Sequence, residues 1–258
     1  MLLPGVREAL CSLRHAAIVQ AEVCDPALVG SAVPWPNDID FSLANKVAAG
    51  VIVTDSWEAG CCGCVRDCYR DTCWNATANL FCAGDSCRLG GKYSNSIYQT
   101  SSAEIYITEY TGLGLRTKST INAGALIAPY TGLLSDHDYV NDPTQYDYVI
   151  QTHTVSKQDK TLYIDAEKHG SFARFINHSC DANCTFVEMR HNRDFQVAVI
   201  TNRKIGCGEA ITVDCGPNLW FVCACKTDNC RAKGIAAVKL CVSERKHKSV
   251  ALSDEVEI

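Results

Sequence analysis

The sequence predicts a mainly β domain of short strands with short helices, an α+β fold, flanked on each side by a cysteine-rich module. Three observations carry that prediction. From Ala103 onward, apolar residues come in short runs, some of them alternating, separated by turn signals. Helical periodicity is scarce over the same stretch. Cysteines gather at both ends of it: seven lie between Cys61 and Cys87, and three more at Cys223, Cys225 and Cys230.

In chain order, residues 1–56 form a cysteine-poor lead. Residues 1–20 carry Arg7, Glu8, Arg14 and His15 inside an apolar pattern, which fits an amphipathic helix and not a signal-peptide core. Pro34-Trp35-Pro36 breaks the segment, and nothing in it points to chemistry. Residues 57–100 are dense in Cys, Gly, Asn and Asp; such a stretch lacks a core of its own and needs metal to fold. Residues 101–216 hold the expected strands, at 104–108, 125–130, 146–151, 161–165, 195–200 and 210–214. Asn122-Ala123-Gly124 and Gly206-Cys207-Gly208 read as turns, and 135–140 and 170–176 each have room for a short turn or helix. Residues 217–234 carry the second cysteine group. In 235–258, Arg245-Lys246-His247-Lys248 reads as a solvated charge run.

The 258 residues fit one large domain or a domain with appended modules. A hydrophobic fraction of 47% and a charged fraction of 21% describe an ordinary soluble globule. No apolar run approaches the roughly 20 residues that span a bilayer, so no membrane role is expected. A net charge of −5 argues against gripping nucleic acid chiefly by its phosphates; direct DNA contact is not indicated by charge, while a basic peptide partner is compatible. Seventeen cysteines, an odd total without an export signal, favour zinc over disulfides. Glycosylation patterns at Asn75, Asn177 and Asn183 are short enough to arise by chance.

One stretch concentrates chemistry. Arg174-Phe175-Ile176-Asn177-His178-Ser179-Cys180-Asp181-Ala182-Asn183-Cys184 sets an Asn-His pair, a thiol and a second Asn between apolar flanks. It resembles the RFxNHSCxPN signature of SET-domain histone-lysine methyltransferases. Gly112-Leu113-Gly114 lies upstream, where that family carries a GxG cofactor loop, although a plain turn would use the same glycines. The resemblance assigns S-adenosylmethionine (SAM) contacts to Thr111, Gly112, Leu113 and Gly114, to Tyr146, Tyr148 and Arg174, and to Asn177 and His178. It also implies several small β-sheets around a pseudoknot, in which the Asn-His segment and the C-terminal strand cross.

Three further motifs resemble the family's in order. Tyr130-Thr131-Gly132 is similar to its YxG, with Leu133-Leu134 following where Glu is usual; Tyr130 reads equally as core aromatic or ligand contact. Gln145-Tyr146-Asp147-Tyr148-Val149-Ile150 resembles the strand with an active-site Tyr and gives Tyr148 a catalytic role. Glu209-Ala210-Ile211-Thr212-Val213-Asp214-Cys215-Gly216 resembles GEELTxDYG, with Cys215 where a catalytic Tyr is usual. A thiol is shorter and a weaker donor than a phenol, and nothing beside Cys215 marks an activated nucleophile. Reduced activity, an altered methylation number and SAM binding without turnover all follow as possible outcomes.

The CxC-x4-C of Cys223, Cys225 and Cys230 needs a fourth ligand for tetrahedral zinc. The resemblance supplies Cys180 and makes this a post-SET module over the active site. Cys73-Trp74-Asn75, Asn79, Cys82, Cys87, and Ser94-Asn95 with Tyr98-Gln99, resemble the AWS (associated-with-SET) module, with two expected cysteines replaced at Leu89 and Tyr93. Cys61, Cys62, Cys64, Cys68, Cys73, Cys82 and Cys87 are its zinc candidates, as two ions sharing one bridging thiolate or as one ion with spare thiols. The resemblance, over roughly residues 57–234, implies a SAM-dependent lysine methyltransferase of the nucleus and chromosome. Its implied substrate is the histone H3 tail or nucleosome, with the lysine-36 branch favoured; a SAM- and histone-tail-binding pseudoenzyme is the alternative.

Overall fold

Apolar residues at strand spacing pair as strands wherever a second strand can cover them. The computed structural model describes residues 30–54, 60–89, 95–139, 141, 147–192, 194–217, 219 and 221–232. Its elements are β1 (Asp40–Phe41), β2 (Lys46–Val47), α1 (Trp74–Thr77), β3 (Ala103–Ile107), β4 (Leu113–Thr117), β5 (Leu126–Tyr130) and β6 (Leu133–Ser135). After them come β7 (Val149–Val155), β8 (Thr161–Asp165), β9 (His169–Gly170), a 3-10 turn (Phe172–Phe175), β10 (Asn177–His178), β11 (Cys184–His191), β12 (Asp194–Thr201) and β13 (Thr212–Val213). The mainly β expectation therefore holds.

Four sheets form: a five-stranded one in the order β10-β13-β11-β12-β5, a four-stranded one in the order β2-β6-β8-β7, and the pairs β3-β4 and β1-β9. β5 is buried along its whole length, and its Pro129, which has no N–H to give, is tolerated because β5 is an edge strand. Leu115, Ile127, Leu162, Ile164, Val199, Ile205 and Ile211 are the innermost side chains and join the sheets into one core. β10 and β11 both run parallel to β13, one on each side of it, so residues 179–183 carry the chain across β13. That arrangement is the crossing on which the site is built.

Residues 30–54, part of the lead in which sequence showed no chemistry, belong structurally to the same domain. β1 pairs with β9, β2 pairs with β6, and Asn45 Oδ1 accepts the Gly132 amide at 3.1 Å. Trp35 packs on Phe41, Phe172 and Phe175. The helical start expected at 1–20 and the charge run at 245–248 lie outside the described residues. Of the two places with room for a short turn or helix, 170–176 contains the 3-10 turn. At 135–140 the described residues hold a turn at Tyr139 and no helix: Ser135 ends β6, Asp136 pairs with Lys160 at 2.7 Å, and the Tyr139 hydroxyl reaches Asp165 at 3.2 Å.

Gly132 is required by close approach. A Cβ there would stand 2.1 Å from Asp165 O, a backbone atom that cannot yield without moving β8. Gly132→Ala is expected to cost about 3 kcal/mol or more, the upper end of overpacking penalties. It should lower Tm by roughly 10 °C in a thermal melt, and an unchanged melt would refute this packing.

Candidate active site and zinc centres

Thr108 braces the first wall of the site. Its amide donates to Gly112 O at 2.7 Å, its hydroxyl pairs with Thr111 Oγ1 at 2.8 Å, and the Thr111 amide donates to Thr108 Oγ1 at 3.0 Å. The turn passes through Gly112 at φ +73°, a left-handed backbone open to glycine at little cost. A Cβ on Gly112 would meet nothing within 4 Å, so the loop borders open space. One on Gly114 would lie 2.6 Å from Thr108 Cγ2 and 3.0 Å from Asn177 Nδ2. Gly114 thus admits the Asn177 amide, which donates to Leu113 O at 3.0 Å.

His178, next to Asn177 in β10, joins three parts of the site. Its Nδ1 accepts the Cys215 amide at 3.1 Å, so the neutral ring carries its proton on Nε2, 3.4 Å from Cys180 Sγ. Burial lowers the His178 pKa and keeps the ring neutral, with partial opposition from Asp214 3.8 Å away. Phe221 meets the ring edge-on at 5.5 Å.

Tyr130, Tyr148, Arg174 and Cys215 gather beyond this crossing. The buried Arg174 donates from Nε to Ala166 O at 2.9 Å and lays its guanidinium over the Tyr148 ring at 4.3 Å. The Tyr130 hydroxyl donates to the Tyr148 carbonyl at 2.8 Å; burial raises its pKa, so it remains a neutral donor. Cys215 opens to solvent on one side, yet the protein around its sulfur, with help from Asp214, pushes the thiol up to about 11. It is no thiolate nucleophile at neutral pH.

Cys180, Cys223, Cys225 and Cys230 place four sulfurs within 4.8 Å of one another. Zn–S bonds of about 2.3 Å give tetrahedral edges of about 3.8 Å, and Cys180 and Cys223 are 3.8 Å apart. An all-thiolate set of this size suits zinc. Arg231 fastens the group to the neighbouring strand, with both guanidinium nitrogens on Asp214 at 2.7 and 2.6 Å and one on Gly216 O at 2.9 Å. Asp214 is held down to about 2 chiefly by that Arg231 pairing. At the other end, Cys62, Cys64, Cys68 and Cys73 form a second quartet, and Cys62, Cys68, Cys82 and Cys87 a third. Cys61 is exposed and stands in neither.

Residues 112–216 match the family model for the SET domain. The chain carries a SET domain. Proteins similar to it include the variant-silencing SET domain-containing protein of Plasmodium falciparum, 31% identical over 192 residues. Histone-lysine N-methyltransferase NSD3 of Mus musculus is 31% identical over 224 residues, and the Homo sapiens histone-lysine N-methyltransferase, H3 lysine-36 specific, is 31% identical over 167. The matches cover 66%, 78% and 61% of this chain but only 7%, 15% and 6% of those proteins, so the chain spans a small part of their length. Among solved structures, KRYPTONITE in complex with mCHH DNA, H3(1-15) peptide and SAH superposes with a TM-score of 0.58. It covers 77% of this chain and 48% of that one at 22% identity, a likeness of fold.

Thr111, Gly112, Leu113, Gly114, Asn177 and His178 lie together at the crossing. Arg174 donates to the Ala166 and Glu167 carbonyls and lies over the Tyr148 ring. Tyr146 lies outside the described residues. Tyr130 joins Tyr148 and Cys215, and its signal in the sequence was the glycine two residues on. Phe221, which meets His178, comes from the apolar run Leu219-Trp220-Phe221, expected near the cofactor or under the post-SET loop; Trp220 lies outside the described residues. Of the two replaced AWS cysteines, Leu89 packs on the thiol cluster, and Tyr93 lies outside the described residues.

Proposed function

We propose that this chain is a SAM-dependent protein-lysine N-methyltransferase of the nucleus and chromosome, acting on histone H3 with lysine 36 favoured. The observation that carries the proposal is one continuous set of hydrogen bonds. Asn177 ties the crossing to the glycine loop at Leu113, and His178 ties it to the segment after β13 at Cys215. The open space beside Gly112 and the close fit at Gly114 suit a cofactor laid against backbone. Relatives named histone-lysine methyltransferases support the substrate class, and the lysine-36 names among them favour that site.

SAM, when bound, supplies a methyl group on a sulfonium leaving group. The chain's own work is to bind, align and dry the amine. A desolvated channel disfavours the lysine ammonium and so frees the lone pair that attacks. Alignment contributes most of the rest, because an in-line displacement needs little else from the protein. Tyr130 fixes the Tyr148 backbone, Arg174 fixes its ring, and Cys215 leaves more room than a phenol would. Zinc at Cys180, Cys223, Cys225 and Cys230 would hold residues 221–232 against the cleft.

Cys215 also favours a second reading, a SAM- and histone-tail-binding protein with impaired turnover. Calorimetric SAM binding and labelled-methyl incorporation into nucleosomes, measured on one preparation, separate the two. Binding with incorporation is expected; binding without it favours the second reading. Cys215→Tyr should raise the rate or lower the number of methyl groups added per lysine, by narrowing the channel. A variant equal to the parent in both would remove Cys215 from the channel wall.

A further inference from the structure

Two independent four-thiolate zinc sites need eight cysteines, and residues 61–87 bring six together. The two quartets there have two members in common, Cys62 and Cys68. These shared sulfurs are 3.5 Å apart, and Cys87 lies 3.7 Å from one and 3.3 Å from the other. Such spacings approach the ~3.8 Å edge of a zinc-thiolate tetrahedron and far exceed the ~2.05 Å of a disulfide. Cys73 and Cys82, one from each quartet, are 3.7 Å apart, so the six sulfurs form one continuous cluster.

The surroundings are those of bound thiolates. Apart from Ala76, the buried apolar cluster around these thiols consists of cysteines. The Asn75 and Asn95 side-chain amides both aim N–H groups at Cys82 Sγ, at 3.7 and 3.5 Å. One ion in either quartet would leave the other quartet's two private cysteines without a metal.

We infer that this module holds two zinc ions on six thiolates, with Cys62 and Cys68 each bridging both ions. Cys64 and Cys73 complete one site, Cys82 and Cys87 the other, and Cys61 takes no part. A second bridging thiolate supplies the ligand that a seventh cysteine would otherwise bring. The inference rests on the zinc reading of the module and not on methyl transfer.

Replacing zinc by NMR-active cadmium in the full chain, and correlating cadmium with cysteine β-protons, tests it directly. Cys62 and Cys68 should each couple to two cadmium ions, the other four cysteines to one, and Cys61 to none; Cys61→Ser should leave the metal content unchanged. A single ion in the module, or only one coupling at Cys62 or at Cys68, overturns the inference. Methyl incorporation by the zinc form is scored separately, so a bridged cluster without transfer would count against the enzymatic reading alone.

Discussion

Cys180→Ser should reduce methyl transfer about 100-fold or more and remove one zinc ion per chain, with the β-core still folded. Cys180 lies in the segment that crosses β13 and in the C-terminal quartet, so its sulfur links the two. Its Sγ stands 3.4 Å from His178 Nε2 and 3.4 Å from the Arg231 amide, and its carbonyl accepts Asn229 Nδ2 at 3.2 Å. Without the fourth thiolate, residues 221–232 lose their anchor. Phe221 then leaves His178, and Lys226 leaves Glu109 and Tyr110, beside the glycine loop. A displacement of about 1 Å at such a wall is enough for a 100-fold loss. The innermost core residues include no member of this quartet, so the melting temperature should fall little. Zinc analysis, a thermal melt and a rate on one preparation check all three outcomes. A parent-like rate after loss of the zinc would show that the module has no part in the site.

Gly114→Ala should weaken SAM binding roughly 10- to 100-fold. The added methyl would sit within 3.0 Å of Asn177 Nδ2 and nearer still to Thr108 Cγ2, so Asn177 must leave Leu113 O or the turn must open. Losing a satisfied, partly buried amide costs about 1–3 kcal/mol, and each 1.4 kcal/mol is a factor of ten in affinity. Calorimetry reads this directly. Gly124→Ala, in a turn away from the site, serves as the comparison, because its Cβ has open space and its cost is backbone strain alone. Equal losses in the two variants would mean that Asn177 is not positioned through Gly114.

Legibility in the sequence followed the range of the forces involved. β8 falls at the expected residues because Leu162 and Ile164 form a local apolar pattern. β11 was not expected, since Glu188 and Arg190 interrupt its pattern. Their partner, Thr154, is distant in sequence: its amide donates to Glu188 at 3.0 Å, and its hydroxyl accepts from Arg190 at 2.7 Å. The two-residue strands β1, β2, β9, β10 and β13 exist only through non-local pairing, which no local window displays. At the site, the glycine loop and the Asn-His pair were legible as motifs of fixed spacing. Tyr130 was not, because an aromatic in a buried strand reads the same whether it packs or lines a pocket. Spacing also named the cysteines without saying which sulfurs meet, so the common members Cys62 and Cys68 emerged only from the folded chain.

The most direct measurement is peptide mass spectrometry of histone H3 recovered from nucleosomes incubated with this chain and SAM. The expected result is a methylated lysine on the H3 tail, at lysine 36, with product that depends on both SAM and the intact Cys180 group. SAM bound at the crossing with no methylated histone lysine would contradict the central claim.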